Sequence, residues 1–474
     1  MLIRDAEIWG GPRADLRLVD GRIAAIGQLS AHAGERAIDA GGAALLPGLH
    51  DHHIHLASTA VARQSVRCGP PEVNDEAGLA AALDRPGTGW LRGIGYDERI
   101  LGLPHRRQLD VLCSHRPVRI QDRTGRMWFL NSRAIALLLD IAAPPAGLER
   151  IGGEWTGRLF DEDSWLRKTL SASPPGLAEL GRDLAQAGVT GVTDLSPAND
   201  AATLDWLAGE RTGGRMPQSC LVGGTQGLTD GSFAPGLACG PFKLHLHENA
   251  LPDLDHIVAQ IALAHRRQRA VAIHCTSETE LVFALAALRA ADVMPGDRIE
   301  HAGIATDELI AQVAALGLHV VSQPHFIDER GDRYRETIAQ AEWPWLYRLR
   351  SFLAAGATLA AGSDAPYGSV DPWIGIRAAT TRTTRLGLLI GPHEALTPEE
   401  ALSLYLGDPH DLSRTRTLAV GQPADLCLLD RPWAQARGRM VRQDVRATWI
   451  AGGLVHDRID QAPFERRRCA ETTA

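Results

Sequence analysis

Residues 46–55 read Leu-Pro-Gly-Leu-His-Asp-His-His-Ile-His, an apolar strand that ends in a run of polar side chains. His53 and His55 are two positions apart, so on an extended chain both imidazoles point to the same side. Two neutral imidazole nitrogens on one side can bind one metal ion at about 2.0–2.1 Å. The alternative is a hydrophilic loop that carries histidines by chance, and for an isolated pair that alternative is favoured.

Other strand ends decide between the two interpretations. His274 and His301 each end a β-run, and Asp364 directly follows the last one. In a barrel of parallel strands the carboxyl ends meet at one mouth, where active sites lie. A single histidine of this kind is more often structural than metal-binding, but three further ligands at separate strand ends favour a metal site.

Short apolar runs alternate with helix-periodic segments through the middle of the chain, which is typical of a parallel sheet. Eight runs predict an α/β fold, a (β/α)8 TIM-like barrel over residues 46–414. The first two gaps, at about 57–117 and 122–187, exceed a single helical return and are predicted to hold insertions. The predicted strands are 44–49, 118–121, 189–194, 242–246, 270–274, 298–300, 319–322 and 358–361.

The two ends of the chain differ from the middle in that they consist of short β-runs separated by glycine-containing turns. Asp20-Gly21 between two apolar runs is a strong hairpin signal, and Ala451-Gly452-Gly453 supplies a similar turn near the carboxyl end. We therefore predict one small β-sandwich domain built from both termini, residues 1–45 and 415–474.

Composition excludes several classes of protein. The 474 residues include 49 Lys and Arg against 57 Asp and Glu, a net charge of −8, whereas a nucleic-acid backbone calls for a basic field. No run of 18 apolar residues is present, which argues against a membrane span. We therefore expect a small-molecule substrate, no nucleic-acid partner and no membrane association. A homo-oligomer is also expected, with a dimer as the working hypothesis.

The cellular compartment is predicted from the opening residues and the cysteines. The sequence MLIRDAEIWG lacks a basic stretch followed by an apolar one, so we expect no secretory signal peptide. The seven cysteines are scattered, odd in number and without C-x-x-C spacing, as in reduced cytosolic proteins. These features predict a cytoplasmic protein.

The stretch at 46–55, His274, His301, and Asp364 within Gly-Ser-Asp-Ala-Pro at 362–366 resemble the metal-dependent amidohydrolase superfamily. Three further stretches are similar to the amidohydrolase family 3 branch, which includes N-substituted formamide deformylases and molinate-hydrolase-like enzymes. These stretches are Gly-Ile-Gly-Tyr-Asp-Glu at 93–98, Arg-Ile-Gln-Asp-Arg-Thr-Gly at 119–125 and Trp-Phe-Leu-Asn-Ser at 128–132. The resemblance covers nearly the whole chain, including both termini.

This resemblance implies a site for one or two divalent metal ions per chain. Imidazole and carboxylate ligands suit Zn, Co, Mn or Fe. The implied ligands of one ion are His53, His55 and Asp364, and those of a second ion are His274 and His301.

Lys243 is one of only two lysines in the chain, the other being Lys168. It ends the fourth predicted strand, where many relatives carry an N-carboxylated lysine that bridges two metal ions. A carbamate is an anionic bidentate ligand, which an amine can form and the arginine preferred elsewhere in this chain cannot. The alternative for Lys243 is an ion-paired or solvent-reaching side chain.

The implied reaction follows from these ligands. A divalent ion lowers the pKa of a bound water to about 7, and Asp364 would accept its proton and pass it to the leaving group. The implied activity is hydrolysis of an amide-like C–N bond other than a peptide bond. A carbamate or thiocarbamate target is the alternative within the same fold. A metal-free barrel scaffold is the non-enzymatic alternative, although all six predicted ligand positions are intact.

Four further residues are candidates for substrate binding, and three of them, Arg126, His245 and Asp97, also have a structural alternative. Arg126 stands where family members often carry histidine, and either binds an anionic group bidentately or lies on the surface. His245 lies on the same strand face as Lys243. It either polarises the scissile carbonyl or is an ordinary polar residue of the loop beyond the strand. His325 follows the seventh strand at the barrel rim. Asp97, in the first insertion, is either part of a substrate lid or a structural carboxylate.

Overall fold

A computed structural model describes residues 1–171, 173–228 and 233–458. The last part of the predicted terminal domain, residues 459–474, lies outside the described residues. The chain divides into a larger unit, residues 1–56 together with 176 onward, and a smaller unit, residues 57–175. All six predicted metal ligands belong to the larger unit.

Eight parallel strands form the barrel sheet of the larger unit, which confirms the predicted α/β barrel. The strands are Leu49–Ile54, Val189–Asp194, Ser219–Gly224, Leu237–His245, Val271–Cys275, Arg298–His301, His319–Ser322 and Thr358–Ala361. The helices of this unit are Ala178–Gln186, Ala201–Thr212, Leu254–Arg266, Glu278–Ala290, Asp307–Ala315, His325–Thr337, Leu349–Ala354, Pro372–Thr381, Pro398–Ser403 and Trp433–Ala436.

The predicted strand set contains one wrong member and lacks one real member. Val118–Asp122 is a strand of the smaller unit, whereas Ser219–Gly224 is the third barrel strand. An apolar run indicates burial on both faces but does not identify the sheet, and two glycines weaken the β-signal of Ser219–Gly224. Both errors precede Lys243 in the chain, and they leave the number of strands before it unchanged. Lys243 therefore lies on the fourth barrel strand, Leu237–His245, as predicted.

The predicted first strand is two strands, separated at Gly48. Ala44–Pro47 pairs with the terminal sheet, and Leu49–Ile54 pairs with the second barrel strand. A Cβ atom at position 48 would lie 2.2 Å from Cγ2 of Thr190. Glycine is therefore required where the chain crosses from one sheet into the other.

The barrel closes where the end of its first strand meets the residues just after its eighth strand. The main-chain N–H of Asp364 donates to the carbonyl oxygen of His53 at 2.7 Å, and that of His55 donates to the carbonyl oxygen of Ala365 at 2.9 Å. These bonds bring together two ligand segments that are about three hundred residues apart in sequence.

Strands from both ends of the chain form one mixed sheet in the larger unit. Asp20 and Gly21 have φ angles of 48° and 76° and connect two antiparallel strands, so the predicted hairpin is present. The strands of this sheet are Leu2–Ile8, Arg13–Val19, Arg22–Gly27, Ala37–Asp39, Ala44–Pro47, Leu426–Leu429, Val445–Ile450 and Gly453–Asp457, and a separate hairpin pairs Gly407–Asp408 with Asp411–Thr415.

The smaller unit contains its own six-stranded sheet and hydrophobic core. Its strands are Val66–Arg67, Leu91–Tyr96, Val118–Asp122, Met127–Leu130, Leu148–Ile151 and Glu154–Phe160. Its helices are Leu56–Arg63, which begins on the last residue of the larger unit, Glu76–Leu83, Arg106–Leu112, Ser132–Ile141 and Asp163–Thr169. None of the helices in the described parts of either unit is long and apolar enough to cross a bilayer.

Candidate metal centre

Three predicted ligands converge at the carboxyl end of the barrel. One ligand atom from each of His53, His301 and Asp364 lies within 4.8 Å of the other two, and all three side chains are buried. The main chain has positive φ angles at His301 and Asp364, 73° and 50°, a conformation that non-glycine residues seldom adopt and that often occurs at functional sites. The sequence predicted that His301 binds a second ion together with His274. The structure places it next to His53 and Asp364, which were predicted to bind the first ion.

One ring nitrogen of His53 is hydrogen-bonded, and the other is available to bind a metal ion. Its Nδ1–H donates to Oε2 of Glu300 at 2.6 Å. Its Nε2 is buried and has no hydrogen-bond partner among the described residues. Burial lowers the pKa of His53 to about 3, so the ring is neutral and Nε2 carries a free lone pair. An orphaned buried acceptor of this kind fits a metal ligand.

His301 and His55 are held in the same way. Nδ1–H of His301 donates to Oε1 of Gln323 at 2.7 Å, which leaves its Nε2 as the lone-pair atom. Nδ1 of His55 lies 3.2 Å from Oγ of Ser196, and Nε2 of His55 lies 3.1 Å from Oδ1 of Asp364. An imidazole nitrogen and a carboxylate oxygen at this distance could serve together as ligands of one cation.

Asp364 remains ionised in these surroundings. Burial by itself raises the pKa of a carboxyl group, but contact with His55 and the nearby rings of His301 and His53 holds the pKa of Asp364 well below its ordinary value. An ionised carboxylate beside imidazole nitrogens fits a divalent cation.

Lys243 lies on the fourth barrel strand, which pairs with the strand that carries His274. Its side chain is 5% exposed, and its Nζ has no hydrogen-bond partner in the part of the chain that the structure describes. Burial lowers the pKa of Lys243, which favours the neutral amine. The two structural alternatives predicted for this lysine, an ion pair and a solvent-reaching ammonium group, do not match an orphaned buried Nζ.

His274 and His245 extend the cluster across neighbouring strands. The ring of His274 has its centroid 4.5 Å from that of His301 and 4.3 Å from that of His245. Burial lowers the pKa of His274 well below its ordinary value. His245 is exposed at the end of the fourth strand, so the structure brings this candidate substrate contact beside the predicted second metal site.

Glu300 and Arg298 form a part of the site that the sequence analysis missed. Arg298 donates to both carboxylate oxygens of Glu300 and, at 2.7 Å, to the carbonyl oxygen of His52. The pair fixes the carboxylate that orients the ring of His53, an arrangement that raises the basicity of a metal-binding histidine. The available signal was the Arg-x-Glu spacing on a buried strand, which places two opposite charges on one face.

His325 is buried, with 1% of its side chain exposed, and its Nε2–H donates to the carbonyl oxygen of Ser363 at 2.9 Å. It therefore supports the main chain next to Asp364. Its predicted substrate contact stays a prediction.

Arg126 and Asp97 belong to the smaller unit. Arg126 is 40% exposed and forms an ion pair of 2.6 Å with Asp161. Asp97 is buried and forms ion pairs with Arg99 at 3.0 Å and Arg123 at 3.7 Å. Both side chains have partners within their own unit, and their substrate-binding roles stay predictions.

Comparisons with known proteins identify the family of this chain. The sequence profile of the Amidohydrolase family matches residues 36–456. An N-substituted formamide deformylase from Arthrobacter pascens is 27% identical, with 92% of this chain and 94% of that protein aligned. The putative amidohydrolase YtcJ from Bacillus subtilis (strain 168) is 25% identical, with 89% and 90% aligned.

Solved structures share the fold. An uncharacterized metal-dependent hydrolase from Pyrococcus furiosus superposes with a TM-score of 0.71 at 22% identity, over 91% of this chain and 98% of that chain. A second one, from Pyrococcus horikoshii, superposes with a TM-score of 0.73 at 19% identity, over 91% and 97%.

Proposed function

This chain belongs to the amidohydrolase family and is a metal-dependent hydrolase of amide-like carbon–nitrogen bonds, and on that premise we propose that it binds two divalent ions and cleaves N-substituted formamides or close amide relatives. The observation that carries the proposal is the buried cluster of His53, His301 and Asp364 with its lone-pair atoms facing one another. The similarity to the Arthrobacter deformylase supports the choice of substrate class.

The proposed ligand set divides between two neighbouring ions. His53, His55 and Asp364 would hold one ion, and His274 and His301 the other. The distance of 3.1 Å between His55 Nε2 and Asp364 Oδ1 supports the first set. The contact between the rings of His274 and His301 supports the second set. Bound at these positions, Zn, Co, Mn or Fe would supply a water of lowered pKa and an electrophile for the scissile carbonyl.

Lys243 is proposed to be N-carboxylated and to bridge the two ions. A neutral amine attacks carbon dioxide, a C–N bond forms, and one proton leaves, which yields an anionic carbamate. The burial of Nζ and the lowered pKa of Lys243 support this reaction because they favour the amine over the ammonium form. The carbamate would also add a negative charge to a site rich in neutral imidazoles.

Asp364 is proposed to carry the proton during hydrolysis. It takes a proton from the attacking water and delivers it to the nitrogen of the leaving amine, which completes cleavage of the C–N bond. Its low pKa keeps it in the accepting form at neutral pH. His245, exposed next to His274, is proposed to donate a hydrogen bond to the scissile carbonyl oxygen.

A metal analysis coupled to a substrate panel tests the proposal. The full chain is purified, its metal content is measured by plasma mass spectrometry, and amine release is followed from N-(2-phenylethyl)formamide, the matching acetamide and a thiocarbamate. We expect about two ions per chain, loss of activity with a chelator, and a preference for the formamide. Well under one ion per chain, with hydrolysis unaffected by chelators, would contradict the metal mechanism. A preference for the thiocarbamate would contradict the proposed substrate class.

The homodimer and the cytoplasmic location remain proposals with separate tests. Sedimentation equilibrium measures the assembly state, and fractionation of the native host measures the location.

A further inference from the structure

Helix His325–Thr337 begins directly after the seventh barrel strand and packs against the loop that carries Asp364. A Cβ atom at Gly368 would lie 2.1 Å from Nε2 of His325, which shows how closely the helix and this loop approach. Phe326, Arg330 and Tyr334 recur every four residues and therefore share one face of the helix.

The guanidinium of Arg330 is positioned by three contacts. It lies over the ring of Phe326, with its central carbon 3.8 Å from the ring centroid. It donates to the carbonyl oxygen of Tyr367 and hydrogen-bonds to the hydroxyl of Tyr334, which in turn lies 3.2 Å from the hydroxyl of Tyr347. An arginine side chain held this way loses little further conformational entropy when it binds a ligand.

Arg330 lies close to the metal centre. The N–H of Tyr367 donates to the carbonyl oxygen of Asp364 at 2.9 Å, and its ring centroid lies 6.0 Å from that of His55. Burial lowers the pKa of an arginine, but Tyr334, Tyr347 and the Asp364 carboxylate raise the pKa of Arg330 above its ordinary value. The guanidinium is therefore within electrostatic reach of the ligand carboxylate.

The guanidinium of Arg330 forms no ion pair in the described ranges, and its hydrogen-bond partners there are a carbonyl and a hydroxyl. A guanidinium has five N–H donors, so these two partners leave donors over. The side chain is half-buried, so part of it is accessible to solvent. Arg382 is the contrast, because it is fully buried and donates to the carbonyl oxygens of Ile390, Tyr347 and Leu346.

We propose that Arg330 binds the carboxylate of the substrate, and that the preferred substrates are therefore N-acylated amino acids or similar anionic amides. The proposal rests on the hydrolase function above and narrows its substrate class. A carboxylate accepts two parallel N–H bonds from a guanidinium, which fixes direction as well as charge. A substrate anchored at this rim would present its amide to the neighbouring metal centre.

The test compares two substrates that differ by one carboxylate, N-formylphenylalanine and N-(2-phenylethyl)formamide, in wild type, R330Q, R330K and R335Q. Arg335 is a matched control because it lies on the same helix and also stacks on an aromatic ring, Trp343, at 4.9 Å. Charge-assisted hydrogen bonds of this strength correspond to about a 10- to 100-fold effect on kcat/KM.

We expect wild type and R335Q to favour the acid, and R330Q to lose about 10- to 100-fold on the acid, mainly through KM, with the neutral formamide nearly unchanged. R330K should recover part of the loss, because it restores charge without the bidentate geometry. An equal loss on both substrates would overturn the proposal, since it indicates that Arg330 only supports the loop. Wild type without a preference for the acid would overturn it as well.

A binding measurement separates this proposal from the proposed function. Calorimetry with the metal-loaded protein compares 3-phenylpropionate with 3-phenylpropionamide in wild type and R330Q. Weaker binding of the carboxylate to R330Q, with no hydrolysis of either formamide by wild type, would support the carboxylate site and contradict the hydrolytic assignment. Equal binding of the carboxylate to both proteins would overturn the role of Arg330, whatever the activity.

Discussion

The two faces of the first barrel strand, Leu49–Ile54, both carry buried histidines but differ in what those histidines meet. His53, on the inward face, faces Asp364 and His301. His50 and His52, on the opposite face, have their ring centroids 4.6 Å apart, and both nitrogens of His52 lack a hydrogen-bond partner among the described residues. Residue type and burial are therefore shared, and the direction of the side chain decides which histidine joins the candidate metal centre.

The largest expected effect concerns Asp364. Asp364→Asn keeps an oxygen ligand but cannot accept a proton, so we expect kcat to fall about 10³-fold, within the range of general-base catalysis. Steady-state kinetics of the metal-loaded variant measures this. Asp51→Asn is the control on the same inward side, because its oxygen can still accept from the N–H groups of Ser363 and His53. Equal losses in both variants would contradict a specific proton-carrying role for Asp364.

The next effect separates the two lysines of the chain. Lys243→Ala should reduce the metal content from two ions to about one and lower kcat/KM about 100-fold, because the proposed bridging ligand would be lost. Added propionate should restore part of the activity by supplying a carboxylate. Lys168→Ala, at an exposed position, should change neither quantity.

Carbon-13 spectra recorded in labelled bicarbonate provide an independent readout of Lys243. A carbamate signal should be present in wild type and in Lys168→Ala and absent in Lys243→Ala. The same spectrum in all three proteins would refute carboxylation at this residue.

A smaller effect is expected for Glu300, the carboxylate that accepts a hydrogen bond from His53. Glu300→Gln removes the charge that orients the imidazole, so metal affinity should fall about 10- to 100-fold in a competition titration. It also leaves Arg298 buried without its counterion, which lowers the free energy of unfolding by about 3–5 kcal/mol. Glu394→Gln breaks a comparable buried pair with Arg348 at 2.9 Å. If both variants lose metal equally, the effect is one of stability alone.

The smallest effect is expected on the outward face. His52→Leu replaces a ring whose nitrogens have no partner, so the free energy of unfolding should change by no more than about 1 kcal/mol. Metal content and kcat/KM should match wild type. Urea unfolding and metal analysis check both points. Loss of metal in this variant would break the distinction between the two faces of the strand.

Several structural elements were predictable because their signals are local. The hairpin at Asp20-Gly21 depends on two residues with positive φ, and the alternation of His53 and His55 follows from the two-residue repeat of a strand. The barrel followed from eight apolar runs with helices between them. Such elements can be predicted from residues that are close together in the sequence, without knowledge of tertiary contacts.

Other features depended on contacts that the sequence does not encode locally. Val118–Asp122 looked like a barrel strand because burial in any sheet gives an apolar run, and Ser219–Gly224 was missed because its glycines weaken the β-signal. Glu300 was overlooked because its significance lies in a contact with His53, 247 residues away. The rim position of Arg330 likewise depends on how one helix packs against a distant loop.

The sequence by itself determined the chemical groups available to this protein, which are imidazoles, carboxylates and a single amine at the ends of apolar strands. Tertiary structure decided which of these groups meet. Parallel strands closed into a barrel bring His53, His301 and Asp364 within 4.8 Å and turn His50 and His52 away. Ligand type is a property of each residue, whereas convergence on one point is a property of the closed sheet.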